Sequence, residues 1–236
     1  MRRLIAFALA LMLSGSAVQA GAWARPAGEV FLSFSTNREA SVEALQSGMD
    51  AMARHDAAYL EVGLGHRLTF SAELGRGRYT SDAMAILRYT LTDPGARLQA
   101  AVDLGAGQRS VEGQEDSTLA RLGLSLGYGY GITPPDWMPL NLQGGWIALD
   151  ASAIRDTTTA ENRWKVETTF GLSISDRSRA MLQIVAEEWP GRDAAFTLNP
   201  SFVFQIHEGS FVEVGLRAVR AEDVQFGFEL GFWRQF

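Results

Sequence analysis

The sequence predicts an all-β protein, a closed antiparallel transmembrane β-barrel of about twelve strands, and three observations predict it. The chain opens with the three regions of an export signal. Apolar residues make up 47% of it, yet beyond residue 20 they never form a run near the roughly 20 residues a spanning helix needs. Apolar and small or polar residues instead alternate with period two in segment after segment, as strands with one lipid face and one lumen face require.

The export signal consists of Arg2 and Arg3, the apolar run from Leu4 to Leu13, and the small residues of Val18-Gln19-Ala20. Cleavage is expected after Ala20, with a second small-x-small site at Ala20-Gly21-Ala22 two residues further on. Residues 1–20 are thus read as a signal peptide and 21–236 as a single barrel domain. Cysteine is absent, which excludes disulfides, thiolate metal sites and thiol nucleophiles. Without the two signal arginines, 19 basic residues face 27 acidic ones, a net charge of −8 that argues against a nucleic-acid partner. No cofactor or metal is expected.

The last strand shows the alternation best: Phe226, Phe228, Leu230 and Phe232 share one face, Gln225, Gly227, Glu229 and Gly231 the other. Eleven further segments read the same way, near residues 29–36, 58–65, 68–77, 83–92, 96–107, 118–132, 140–151, 162–175, 178–189, 195–206 and 210–220. In the segment from Leu119 to Ile132, Leu122, Leu124, Leu126, Tyr128 and Tyr130 would face lipid, and Arg121, Gly123, Ser125, Gly127 and Gly129 the lumen. Outer-membrane barrels pair short periplasmic turns with longer extracellular loops. Tight turns fit Gly65-His66-Arg67, Asp93-Pro94-Gly95, Ser175 to Ser178 and His207 to Ser210, whereas residues 37–56, 76–81, 109–117 and 155–162 read as longer loops. This parity puts both termini in the periplasm. Aromatic girdles follow: Tyr89, Tyr128, Tyr130, Phe204 and Phe232 near one rim, Phe34, Trp164, Phe196 and Phe226 near the other.

The final residues, Glu229-Leu230-Gly231-Phe232-Trp233-Arg234-Gln235-Phe236, resemble the signal by which Gram-negative outer-membrane barrels are recognised for insertion. Glu229, Gly231 and Phe236 match that pattern, and Arg234 stands where it favours an apolar or aromatic residue. The resemblance implies the outer membrane as location, its lipid as surroundings and the barrel-assembly machinery as a partner. The stretch from Tyr59 to Thr69, YLEVGLGHRLT, resembles a hairpin of outer-membrane transporters associated with phenol-degradation or exopolysaccharide pathways.

An ionised group inside a membrane must line water or find a partner, so inward charges are the informative polar residues. Parity puts Glu29, Glu61, Glu73, Glu213 and Glu229 on the lumen face of strands at the two chain ends, and Arg88, Arg97, Arg121, Arg163, Lys165 and Arg179 on that of the middle strands. Closure would make an acidic wall face a basic one, with Arg217, Asp103, Glu167 and Glu187 as exceptions. A transverse field of this kind selects solutes by charge. The function expected is passive diffusion of small hydrophilic solutes. The alternative is a plugged, non-transporting barrel in which these charges pair and the loops bind a partner or polysaccharide.

The first loop carries Val42, Leu45, Met49 and Met52 at helical spacing, with Thr36 and Glu39 as a capping box, and is expected to hold a short helix. Barrel hydrolases use histidine near the extracellular rim. His66 and His207 lie in expected turns, which leaves His55 beside Asp50 and Asp56 as the one candidate cluster, on a loop without a rigid platform. No enzymatic activity is expected.

Overall fold

The computed structural model describes residues 21–46, 52–132, 142–191 and 193–236. The expected signal peptide lies outside the described residues, as does Met49. Twelve strands follow one another: β1 Val30–Ser41, β2 Ala53–Gly65, β3 Leu68–Arg76, β4 Thr80–Thr90, β5 Leu98–Val111, β6 Ser117–Gly131, β7 Gly144–Asp156, β8 Asn162–Ser175, β9 Ser178–Glu188, β10 Ala195–His207, β11 Ser210–Arg220 and β12 Val224–Gln235. Each pairs antiparallel with its neighbours in sequence, and β1 pairs with β12, so the sheet closes with no free edge. The closing register runs from Phe31 opposite Gln235 to Ser41 opposite Gln225. Beyond it, the N–H of Phe236 donates to the Val30 carbonyl at 2.9 Å.

The start of β1 and the end of β12 lie at one end of the barrel, here the termini end, with the two-residue turns at 66–67, 176–177 and 208–209. His66 and Arg67 both have positive φ, 50° and 69°, the left-handed pair whose twist suits two-residue hairpins. The opposite, loop end carries the connections after β1, β3, β5, β7, β9 and β11.

Register fixes which side chains point outward. On β6, Leu122, Leu124, Leu126 and Tyr128 are exposed, while Gly123, Ser125 and Gly127 between them are buried. On β12, Phe226, Leu230 and Phe232 are exposed. Of the nine girdle aromatics, eight are exposed and Tyr130 is half-buried. A closed barrel with an apolar exterior satisfies every backbone group within its wall and offers lipid a matching surface.

Four elements differ from expectation. β1 runs on to Ser41 and β2 starts at Ala53, so the first loop shrinks to residues 42–52. The added pairs, Thr36 with Asp56 and Arg38 with Arg54, are polar on their outer face, because there the strands rise past the apolar band and alternation no longer marks them. Helix α1 covers only Val42–Leu45, and its N-cap is Ser41, whose Oγ accepts from the Ala44 N–H at 3.2 Å. Thr36 and Glu39 are strand residues and form no capping box. β7 spans 144–156 rather than 140–151, and residues 133–141 lie outside the described set.

Candidate functional site in the lumen

The inward side chains form three levels along the barrel axis. At the termini end, Phe31, Trp146, Ala148, Met181, Val203, Phe211 and Trp233 make a buried apolar cluster, with Tyr59 and Trp23 packed against it. The Phe31 ring meets Tyr59 and Trp233 edge-on, at centroid distances of 6.3 and 6.1 Å. Glycines make the room: a methyl group on Gly171 would lie 2.2 Å from the Trp146 indole.

Trp23 belongs to a segment, residues 21–29, that turns at Gly28 (φ 84°) and runs inside the barrel. The Gly28 N–H donates to the Gly63 carbonyl at 2.9 Å, and a Cβ on Gly63 would lie 1.9 Å from the Pro26 carbonyl oxygen. The Arg25 N–H donates to Thr69 Oγ1 and Thr90 Oγ1 donates to the Ala22 carbonyl, both at 3.1 Å. Trp23 lies against Gly127, where a Cβ would come within 2.4 Å of the indole. The Arg25 guanidinium reaches Glu61 at 2.5 Å and stacks over the Phe31 ring at 5.0 Å.

The middle level is charged and internally paired. Glu61, 3% exposed, accepts from Arg25, from Arg88 Nη1 at 3.0 Å and from the Tyr59 hydroxyl at 2.5 Å. Arg121 bridges Asp103 at 3.0 Å and Glu73 at 3.6 Å. Arg217 on β11 bonds Glu39 on β1 at 3.1 Å and reaches Glu229 at 3.5 Å. From Glu229 a polar chain continues around the wall. Asn199 Nδ2 donates to Glu229 at 2.6 Å and to Gln183 at 3.2 Å, Gln183 donates to Glu167 at 3.4 Å, and Lys165 pairs with Glu167 at 2.8 Å. Glu213 accepts from Ser201 Oγ at 2.7 Å.

At the loop end, the Arg109 and Arg163 guanidiniums lie 4.1 and 4.2 Å from the Trp189 ring. They border a cavity of about 330 Å³ with Leu119 and Ile154 among its lining.

No protein-family model and no curated protein matches this sequence. Solved structures do. The NanC porin aligns with a TM-score of 0.60 at 8% identity, over 85% of this chain and 98% of its own. The KdgM porin aligns at 0.57 with 9% identity, over 86% and 99%. An outer membrane channel from Pseudomonas putida F1 aligns at 0.57 with 14% identity, over 94% and 100%. The chain has the fold of an outer-membrane porin. With the apolar exterior, that fold is one that spans a membrane with its strands.

Within this porin fold, Glu61, Glu73, Glu213, Glu229, Arg88, Arg121, Arg163, Lys165 and Arg179 all stand on inward positions. Two expected wall residues do not. Arg97 is exposed in the connection before β5, past the end of the lumen face. Glu29 precedes β1, in the turn where its N–H meets the Pro26 carbonyl at 3.1 Å. The two opposed walls are also corrected. Glu61 and Arg88 are separated by one strand and Glu73 and Arg121 by two, so long side chains from the two sets meet and the field closes into short pairs. Arg179 joins no ion pair among the described residues and lies 5.0 Å from the Phe211 ring. His55 points inward on β2 and Asp56 outward, where it pairs with Arg54 at 2.8 Å, so these neighbours form no cluster; Asp50 lies outside the described residues. Glu229 and Gly231 face inward, and Phe236 ends the chain exposed beside β1.

Sequence reasoning missed the inserted segment with Trp23 and Arg25. A signal existed in Phe232-Trp233: two adjacent aromatics on one strand force one of them inward, and an inward tryptophan needs an apolar neighbour.

Proposed function

We propose that the protein is a channel for passive diffusion of small hydrophilic solutes, whose charged middle level sets preference and whose termini end is narrowed by residues 21–29. The observation that carries this reading is the belt of ion pairs at mid-height, from Arg121 with Asp103 and Glu73 to Lys165 with Glu167. Packed ion pairs contribute little to stability compared with apolar residues of the same volume, so their use along one level of a lumen supports a water-lined path. The Tyr59–Thr69 hairpin, with its resemblance to outer-membrane transporters, fits the same reading.

The apolar cluster around Trp146 and Trp233 favours a second reading, a closed barrel acting through its loops. Single-channel recording in planar bilayers separates the two. The native protein should open to small conductances, and a variant lacking residues 21–28 to larger and steadier ones. Silence from both proteins would discard the channel.

A further inference from the structure

Gly21 and Ala22 are buried inside the barrel, and Ala22 is fully enclosed. Gly21 sits against Asp150 of β7: a methyl group on its Cα would lie 2.9 and 3.0 Å from the two carboxylate oxygens. The backbone nitrogen, about 2.5 Å from that methyl position by standard bond geometry, is therefore within about 5.5 Å of the carboxylate.

Asp150 lacks a cation of its own. Ser125 Oγ donates to it at 2.5 Å, and the residue directly opposite on β8 is another carboxylate, Glu167. Lys165 is held by Glu167 at 2.8 Å and Arg88 by Glu61 at 3.0 Å. Asp150 enters no ion pair within 4.0 Å among the described residues. A buried carboxylate left in this state is costly.

We propose that signal peptidase cuts between Ala20 and Gly21, and that the α-ammonium group so created docks on Asp150 inside the lumen and locks residues 21–29 there. Water supplies the hydroxyl that completes the Ala20 carboxylate and the hydrogen that completes the Gly21 amine, which takes up a further proton from solvent. The compact ammonium brings three donors to an acceptor pair. Cutting two residues later, after Ala22, would remove both the group that faces Asp150 and the carbonyl that accepts from Thr90.

The test uses the processed protein purified from outer membranes. Its intact mass should correspond to a chain beginning at Gly21. Acylation by a water-soluble N-hydroxysuccinimide ester then has two amine targets, the α-amine and Lys165, the one lysine in the sequence. A neighbouring carboxylate favours the charged form of an amine and only the free form reacts, so Asp150→Asn should speed α-amine acylation about ten-fold. Asp150→Glu should restore the protection. A serine inserted between residues 20 and 21 leaves Asp150 intact, displaces the ammonium by one residue, and should deprotect it equally. A mature chain starting at Trp23, or an α-amine whose rate ignores both Asp150→Asn and the insertion, overturns the proposal. Neither result depends on whether the barrel conducts.

Discussion

Replacing Glu61 by Gln tests how dry the lumen is at the level where the inserted segment is anchored. The carboxylate is the shared counterion of Arg25 and Arg88, and all three side chains are buried, with 4%, 9% and 6% of their surface exposed. Breaking a buried pair by removing one partner costs about 3–5 kcal/mol, chiefly because a charge is left without compensation. Asp103 faces Arg88 across the β4–β5 ladder but is already held by Arg121 at 3.0 Å, so it offers partial relief. The expected loss is therefore near the lower bound, about 3 kcal/mol. With urea slopes of about 1–3 kcal/mol/M, the unfolding midpoint in detergent or lipid vesicles should fall by about 1 M or more. Replacing all three members, Glu61→Leu with Arg25→Met and Arg88→Met, should recover most of that loss, since apolar side chains of similar volume remove the desolvation cost and leave no uncompensated charge. A midpoint unchanged in Glu61→Gln would refute the reasoning and mean that water reaches this level and screens the charges.

Further expectations are independent of that one. Gly171→Ala would push a methyl group into the Trp146 indole, and overpacking of this kind costs about 1–3 kcal/mol; near-ultraviolet circular dichroism and gel-shift melting should both register it. Leu122 is 56% exposed at the centre of β6, so Leu122→Arg should cost about 2–4 kcal/mol in folding into vesicles. A cost near zero would remove this face from the bilayer. The cysteine-free chain permits clean topology labelling. Gln46→Cys and Gln114→Cys should react with an impermeant maleimide on intact cells and Asp93→Cys only after permeabilisation, and the reverse pattern would invert the barrel.

The wall of this barrel was legible in the sequence because lipid imposes a rule on every second residue. Phe226, Leu230 and Phe232 on β12, or Leu122, Leu124 and Leu126 on β6, obey it wherever a strand crosses the apolar band. The rule lapses where strands pass beyond lipid, which is why the sequence marks the ends of β1 and β2 as loop and Arg97 as wall. Inward residues follow no comparable rule. Their parity was readable, but whether Glu61 reaches Arg88 or faces it across water depends on barrel diameter and on what else enters the lumen. That occupant, residues 21–29, has no periodicity of its own, and its fit rests on small residues far along the chain, such as Gly63 and Gly127.

The pair formed by Arg217 and Glu39 reaches past β12, from β11 to β1. It therefore braces from inside the one joint of the barrel that no hairpin ties, and the polar chain leading on to Lys165 extends that brace like a hoop around half the circumference. A barrel that released its contents sideways into the bilayer would have to part strands somewhere, and an untied joint is the natural place to part. Here that joint is held by its full backbone ladder and by a charged strap beneath it, so parting the strands there would have to break both.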